Sequence, residues 1–158
     1  MKQETLIETL NQLQKDEGYK SKPYLCTAGK WTVGYGRNFQ DVPFTTQELS
    51  VLLGLRTETE LKDFYFSDLE NRISDIDDIL KKNLVNYDIL HETVKSVLVQ
   101  MAYQIGVSGL YKFRKTLQYA REGKFEEMAD EMLNSSWAHQ TPLRANRHSD
   151  KIRSLAKK

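Results

Sequence analysis

Apolar residues recur every three or four positions in the first part of the chain, the spacing of an amphipathic helix. They stand at positions 6, 7, 10 and 13, and Gly18 follows where a helix commonly ends. The sequence therefore predicts a first helix that ends near Glu17.

The next segment, residues 18–44, has a different pattern. It carries glycines at positions 18, 29, 34 and 36 and prolines at positions 23 and 43, around a β-favouring run at 31–33. These features predict β-hairpins, and this is the one sheet that the sequence predicts.

Helical patterns return after residue 44 and continue to the end of the chain. Thr45 with Glu48, and Thr57 with Glu60, match the capping box that opens a helix, and the second opens a long helix over about 58–82. Shorter helices are predicted near 109–121, 124–134 and 142–155, the last with Thr141 as N-cap and Pro142 in the first position. Before them lies a mostly apolar central helix capped by Gly106 and marked by Ile89, Leu90, Val94, Val97, Leu98, Met101 and Ile105.

Composition excludes several classes of protein. The 158 residues suffice for one domain with a substantial core, and 23 basic against 22 acidic residues leave a formal charge of +1, which gives no reason to expect a nucleic-acid partner. One cysteine cannot form an internal disulfide, and with three scattered histidines it makes no recognised zinc pattern. We expect no metal and no cofactor.

No apolar run is long enough for a signal peptide or a membrane span. We therefore expect a reduced, cytoplasmic product without stable membrane insertion. If it acts outside the membrane, something else must release it.

A distinctive spacing of residues surrounds the predicted sheet: Glu17-Gly18, Tyr24, Cys26, Gly29, Thr32, Gly34 and Gly36. Two further blocks follow at 101–106 (MAYQIG) and 137–147 (WAHQTPLRANR). In this order the three blocks resemble the phage-type lysozymes, the muramidases of T-even-like phage endolysins. The resemblance extends over nearly the whole chain, whereas any one block alone would be a weak signal.

The resemblance implies hydrolysis of the β-1,4 bond between N-acetylmuramic acid and N-acetylglucosamine in peptidoglycan. Glu17 falls on the family's general acid, and a helix C-terminus favours the protonated form that such an acid needs. Arg144 falls on the arginine that lies close to this acid in the family, and a positive neighbour would lower the carboxyl pKa. The two effects oppose each other, and the sequence leaves their balance open.

Cys26 stands where the best-known family pattern has aspartate, and Thr32 keeps the family spacing. A free thiol with a pKa of about 8.5 is mainly uncharged near neutral pH. Two catalytic roles for Cys26 stay open. In the first, Cys26 attacks the anomeric carbon as a thiolate. In the second, Cys26 and the Thr32 hydroxyl position a water molecule, which attacks the anomeric carbon from the face opposite Glu17. We prefer the second, because the family usually inverts the anomeric configuration.

Further residues are expected to bind the glycan or to support the site. Tyr24 and Trp31 are core residues or sugar platforms, with the core slightly favoured, and Arg37 with Asp68 is expected to form a structural ion pair. Glu131 replaces an amide with a charge. By position, the residues that touch the glycan are Asn38, Tyr103, Thr116 and Glu131, and the supporting residues are Gln104, Trp137 and Arg144.

Two other classes of function compete with this interpretation. A cysteine-dependent wall peptidase or amidase would need an activating base, so Cys26 would have to meet His91, His139 or His148, and no local signature ties any of them to it. A catalytically inactive glycan-binding relative is the other alternative, although the retained Glu17 and Thr32 argue against a decayed site.

We therefore expect a mainly helical α+β, two-lobed lysozyme-like fold in a single domain over 1–158. An N-terminal lobe of about 14–58 contains a small antiparallel hairpin sheet. A long helix of about 58–82 connects this lobe to a helical C-terminal lobe of about 83–158, which packs with helix 1–16. A glycan cleft is expected between the lobes.

The expected protein is a monomeric phage endolysin whose partners are peptidoglycan glycan strands. We expect it to stay in the host cytoplasm until a separate holin-type pore releases it to the periplasm and cell wall. It would then lyse the host cell at the end of infection.

Overall fold

The computed structural model describes residues 1–156, so the last two residues of the predicted C-terminal lobe, 157–158, lie outside the described chain. A three-stranded sheet follows the first helix, and helices make up most of the rest. The elements are α1 (Gln3–Glu17), β1 (Lys20–Leu25), β2 (Trp31–Gly34), β3 (Arg37–Asn38), α2 (Thr46–Gly54), α3 (Glu58–Asn83), a 3-10 turn (Tyr87–Ile89), α4 (Glu92–Ile105), α5 (Val107–Tyr111), α6 (Arg114–Glu122), α7 (Phe125–Leu133), α8 (Ser136–Gln140) and α9 (Pro142–Leu155). The predicted mainly helical α+β fold with one small sheet is confirmed.

The described chain forms two compact units. The first unit joins Met1–Leu6 to the chain from Asp75 onward, and the second unit is Ile7–Ser74. The predicted lobe boundaries at about 14, 58 and 83 stay a prediction.

The sheet of the second unit is antiparallel, in the order β1-β2-β3. Tyr24 pairs with Thr32, and Thr32 pairs with Asn38 on its other side. Gly34 must lack a side chain, because a Cβ atom there would lie 2.5 Å from Cδ1 of Tyr65 on α3. The close approach and a φ of +68° explain why glycine occupies this position.

Arg37 on β3 is only 3% exposed and donates five hydrogen bonds, as many as a guanidinium has N–H groups. Two go to the carbonyls of Val42 and Pro43, two to the Glu48 carboxylate on α2, and one, of 2.7 Å, to Asp68 on α3. The expected Arg37–Asp68 ion pair is therefore present. It belongs to a cluster that ties the sheet to two helices.

The two carboxylates of this cluster respond differently to the same guanidinium. Hydrogen bonding to Arg37 lowers the pKa of Glu48, whereas burial raises the pKa of Asp68 despite the nearby positive charge. The difference follows from solvation, since the side chain of Glu48 is 27% exposed and that of Asp68 only 9%. Asp68 is therefore the partner that most needs the arginine.

The first unit has its core around α4. Five residues of this helix, Val94, Val97, Leu98, Val99 and Met101, have no exposed surface, and further buried side chains come from α7 and α9. Gly106 ends α4 with a φ of +83°, as its predicted cap role requires.

Several predicted helix boundaries are wrong. The central helix begins at Glu92, because the ring of His91 accepts a hydrogen bond from the amide of Thr93 and starts the helix there. Ile89 and Leu90 therefore lie before it, and Ile89 is 77% exposed. The segment 109–121 contains two helices, α5 and α6, separated at Lys112 and Phe113.

Two predicted caps also differ in detail. Thr141 stands at the N-cap position of α9, but its hydroxyl donates to the carbonyl of Trp137, 3.0 Å away, so it does not cap that helix. Thr57 accepts from the amide of Glu60, and the returning bond joins the two side chains instead of reaching the Thr57 backbone. The capping box of Thr45 and Glu48 is complete.

We predict that Arg37→Gln lowers the free energy of unfolding by about 3–5 kcal/mol, because it leaves the half-buried Asp68 carboxylate without its hydrogen-bonded guanidinium. Urea titration measures the change. Adding Asp68→Asn should restore part of the lost stability, since it removes the stranded charge.

Arg56→Gln provides the matched control for this prediction. Arg56 is exposed, so the change should stay within about 0.5 kcal/mol. A cost below about 1 kcal/mol for Arg37→Gln would contradict the stabilising role of the cluster.

Candidate active site

Glu17 is the last residue of α1 and is half-buried. The helix ends there because Gly18 takes a φ of +66° while its amide still bonds to the carbonyl of Gln14 at 3.0 Å. The carboxylate packs against the backbone of the β2–β3 turn, since a Cβ atom on Gly36 would lie 2.7 Å from Oε2 of Glu17. Gly36 therefore makes room for the predicted general acid.

Cys26 begins the tight turn between β1 and β2. Its amide donates to the carbonyl of Lys30 at 2.9 Å, and its carbonyl accepts from the amide of Gly29 at 2.8 Å. Gly29 has a φ of +75°, which a residue with a side chain rarely adopts. The turn curls the backbone around the sulfur.

This backbone arrangement lowers the pKa of the Cys26 thiol below its ordinary value. The largest cause is hydrogen bonding from the backbone of Lys30, and burial works in the opposite direction. The backbone of Ala28, the side chain of Thr32 and the backbone of Cys26 itself also lower the pKa. A sulfur among amide donors is stabilised as a thiolate in the same way as other anions held by successive backbone N–H groups.

Thr32 is only 3% exposed, and its hydroxyl donates to the carbonyl of Lys30 at 3.0 Å. The same side chain hydrogen-bonds to Cys26. A hydroxyl has a single proton, so it cannot serve the carbonyl and a thiolate at once. To donate a hydrogen bond to the Cys26 thiolate, the Thr32 hydroxyl must therefore rotate away from the carbonyl of Lys30.

The second unit thus contains all three predicted catalytic residues, and two of them, Cys26 and Thr32, are in direct contact. Asn38 is also in this unit, but its side chain forms hydrogen bonds within its own loop, residues 38–41. Its oxygen accepts from the amides of Gln40 and Asp41, and its nitrogen donates to the Asp41 carboxylate. Its glycan-binding role stays a prediction.

The slightly favoured core role for Trp31 is wrong, because Trp31 is 45% exposed, and its alternative role as a sugar platform stays a prediction. It pairs across the hairpin with Leu25, which is 56% exposed. Neighbouring residues of a strand point to opposite faces, so this pair lies on the face of the hairpin away from Thr32.

The first unit contains a pocket of about 380 Å³. Thr116 and Glu131, both predicted to bind glycan, line it together with Trp137. Trp137 is held in place by a 2.8 Å hydrogen bond from its indole nitrogen to Gln104, and it packs edge-on against Phe113. The predicted supporting pair Gln104 and Trp137 therefore shapes one wall of this pocket.

The pocket combines an apolar wall with charged groups. Phe113 and Trp137 supply aromatic surface, Thr116 supplies a buried hydroxyl and Glu131 a half-buried carboxylate. The cationic part of the lining consists of Lys112, Arg114 and Lys115 and was not predicted from the sequence. The signal for it was the run of basic residues around Phe113, in the segment where the predicted helix breaks in two.

Two further predicted residues of the first unit are not among those that line the pocket. Tyr103 is a buried residue of α4 that is not among the residues lining the pocket, and Arg144 lies in the first turn of α9. Glu17 and Arg144 belong to different units, so their pairing stays a prediction.

Among residues 1–156 there is no group of three or more His, Cys, Asp or Glu side chains that could hold a metal ion. Within the same residues, no helix has both the length and the apolar character needed to cross a bilayer.

The sequence of this chain is similar to those of several known proteins. The chain is 29% identical over 157 residues to "Probable T4-type lysozyme 2" of Dictyostelium discoideum, which covers 90% of this chain and 92% of that protein. It is 29% identical over 149 residues to "Probable T4-type lysozyme 1" of the same organism, covering 85% and 87%. It is also 28% identical over 148 residues to "Pre-baseplate central spike protein Gp5" of Enterobacteria phage T4, covering 85% of this chain and 26% of that protein.

The fold and these relatives define the chain as a glycan hydrolase of the lysozyme type. The profile of the phage lysozyme family matches residues 14–152, and the chain belongs to that family.

We predict that Cys26 reacts with iodoacetamide with a midpoint pH below about 8.5, the pKa of a free thiol. The fold lowers the thiol pKa, so thiolate forms at lower pH in the native protein than in denaturant, where the midpoint should return to about 8.5. Thr32→Val should raise the native midpoint, because it removes one of the hydrogen bonds.

Thr27→Val is the control, since Thr27 is an exposed residue of the same turn and should leave the midpoint unchanged. A native midpoint at or above that of the denatured chain would show that the turn does not stabilise the thiolate.

Proposed function

We propose that this protein is an endolysin of the muramidase type. It hydrolyses the β-1,4 bond between N-acetylmuramic acid and N-acetylglucosamine in peptidoglycan. The observation that carries the proposal is the placement of Glu17 against Gly36, in the same unit as the Cys26–Thr32 pair. A proton donor and a water-ordering pair are the parts that an inverting glycosidase needs.

In the proposed reaction, Glu17 donates its proton to the glycosidic oxygen and the bond from that oxygen to the anomeric carbon breaks. A water held by Cys26 and Thr32 adds to the anomeric carbon from the opposite face, and its proton passes to the Cys26 thiolate. Proton exchange with solvent then restores both groups. The lowered pKa of Cys26 supports this role, because a thiolate accepts the proton of the attacking water and a thiol does not.

The pocket of the first unit supports binding of the glycan strand. Its aromatic wall offers Phe113 and Trp137 to the apolar faces of sugar rings, and the buried hydroxyl of Thr116 and the carboxylate of Glu131 offer hydrogen bonds. We propose Asn38 and Tyr103 as further glycan contacts on the family resemblance alone.

The biological setting is proposed from the resemblance to phage-type lysozymes. The protein accumulates as a monomer in the host cytoplasm and reaches the periplasm and cell wall through a separate holin-type pore. Degradation of the wall there lyses the host cell at the end of infection and makes the protein bacteriolytic.

The geometry gives less support to a cysteine peptidase. His91 caps α4 through its Nδ1 atom, and Nδ1 of His139 lies 3.2 Å from the carbonyl of Ser135. His148 is fully buried and stacks on Trp137 at 6.0 Å between ring centroids. Each histidine thus has a local structural role, and the backbone turn, without a histidine, already lowers the thiol pKa of Cys26.

We predict that digestion of purified peptidoglycan produces new reducing N-acetylmuramic acid ends, and that Glu17→Gln lowers their rate of formation at least about 100-fold, because the leaving oxygen loses its proton donor. Reducing ends are labelled and identified by mass spectrometry.

Glu8→Gln is the control, because Glu8 is an exposed residue on the same helix and should leave the rate unchanged. New free amino groups without reducing ends would move the assignment to peptide cleavage. Intact polymer that still binds the protein would make it a glycan-binding relative.

A second prediction concerns the sulfur. Complete alkylation of Cys26, verified by mass, should abolish cleavage, because the blocked sulfur can neither hold the water nor accept its proton. Cys26→Asp should stay active, since a carboxylate supplies the same base. Equal cleavage after alkylation would mean that Glu17 acts with Thr32 alone.

A further inference from the structure

Tyr24 lies next to the proposed catalytic residues without having a role in the reaction described above. It pairs directly with Thr32 across β1 and β2, which places the two side chains on the same face of the hairpin. Cys26 follows just past the end of β1, and its sulfur is placed near this face by its hydrogen bond with the Thr32 side chain. Tyr24 thus lies on the catalytic face of the hairpin, opposite to the exposed pair Leu25 and Trp31.

The phenol of Tyr24 is also close enough to the acid to respond to it. Burial raises the pKa of Tyr24, and the negative charges of Glu17 and Cys26 raise it further. Both charges favour the protonated phenol. Tyr24 therefore retains an O–H donor throughout the pH range in which Glu17 and Cys26 can work.

This donor has no partner within the described residues 1–156. Tyr24 makes no side-chain hydrogen bond there, and its hydroxyl oxygen is not one of the sealed polar atoms of that part of the chain. An O–H that is open to solvent and not bonded to protein is available to a ligand.

The ring face of Tyr24 is less available than its hydroxyl. Nζ of Lys20 lies 4.2 Å from the centroid of the ring, in a cation–π contact that covers one face. Stacking of a sugar on that face would have to displace the ammonium group. The polar edge of Tyr24 is therefore the part that it offers to a ligand.

We propose that Tyr24 is a substrate-binding residue whose hydroxyl donates a hydrogen bond to an oxygen of the sugar held beside Glu17 and Cys26. The proposal rests on the glycan hydrolysis proposed above and adds a contact at the sugar that is cleaved. The bond forms with bound substrate and persists through the reaction, so it contributes to binding and not to the chemical step.

Tyr24→Phe tests this directly, because it removes the hydroxyl and keeps the ring. With soluble peptidoglycan fragments as substrate, KM should rise about 3- to 10-fold, the range expected for one neutral hydrogen bond, while kcat stays within about twofold. A merely structural role would instead lower the melting temperature or change the alkylation midpoint of Cys26, and both should stay unchanged. An unchanged KM, or a fall in kcat at constant KM, would overturn the proposal.

Tyr19→Phe is the matched control, because the Tyr19 hydroxyl is buried and has no hydrogen-bond partner among residues 1–156. The same chemical change there should leave KM and kcat unaltered. An equal rise of KM in both variants would show that the effect of Tyr24→Phe is not specific, and would also overturn the proposal.

A binding experiment separates failure of this proposal from failure of the proposed function. In the Glu17→Gln background, in which turnover should be at least about 100-fold slower, Tyr24→Phe should weaken binding of the same fragments by the factor seen in KM. If the unmodified protein forms no reducing ends, the proposed hydrolysis fails, and the binding loss still decides the role of Tyr24. If it forms them and Tyr24→Phe binds as tightly as its parent, only the Tyr24 contact fails.

Discussion

The geometry of the β2–β3 hairpin depends on one buried arginine. Arg37 directly follows Gly36, whose backbone packs against the Glu17 carboxylate, and all five guanidinium N–H groups donate to groups on the chain around it. These bonds connect β3 to a loop and to α2 and α3, and the guanidinium also lies 4.0 Å from the ring centroid of Phe44. A displacement of Arg37 would therefore move the backbone against which the acid rests.

In the second unit the backbone, not bulky side chains, packs against the Glu17 carboxylate and surrounds the Cys26 sulfur. Gly36 brings backbone close to the Glu17 carboxylate, where a Cβ atom would collide, and Gly18 and Gly29 have positive φ values at which a side chain would be strained. Around Cys26 the positive ends of the backbone N–H dipoles of the turn lower the thiol pKa, and this effect outweighs the rise in pKa that burial causes. The turn thus favours the thiolate form of Cys26 at a position where the family pattern has a carboxylate.

The first unit shows a different way of building a site. Its pocket has a rigid aromatic wall, fixed by the bond from Trp137 to Gln104, beside flexible cations on exposed positions. Aromatic rings lose little conformational entropy on binding, whereas long basic chains lose more. The two units therefore build their candidate sites by different structural means.

The sequence by itself determined the features that depend on neighbouring residues. The end of α1 at Glu17, the capping box of Thr45, the glycine turns and the family motif are local patterns that keep their meaning in any surroundings. The tertiary structure alone decided which groups converge. It brought five acceptor atoms to Arg37 and directed the Asn38 side chain to hydrogen bonds within its own loop. It also left Trp31 exposed and lowered the thiol pKa of Cys26. These outcomes depend on distances between groups that linear spacing does not fix, because burial and hydrogen bonding are properties of the packed chain.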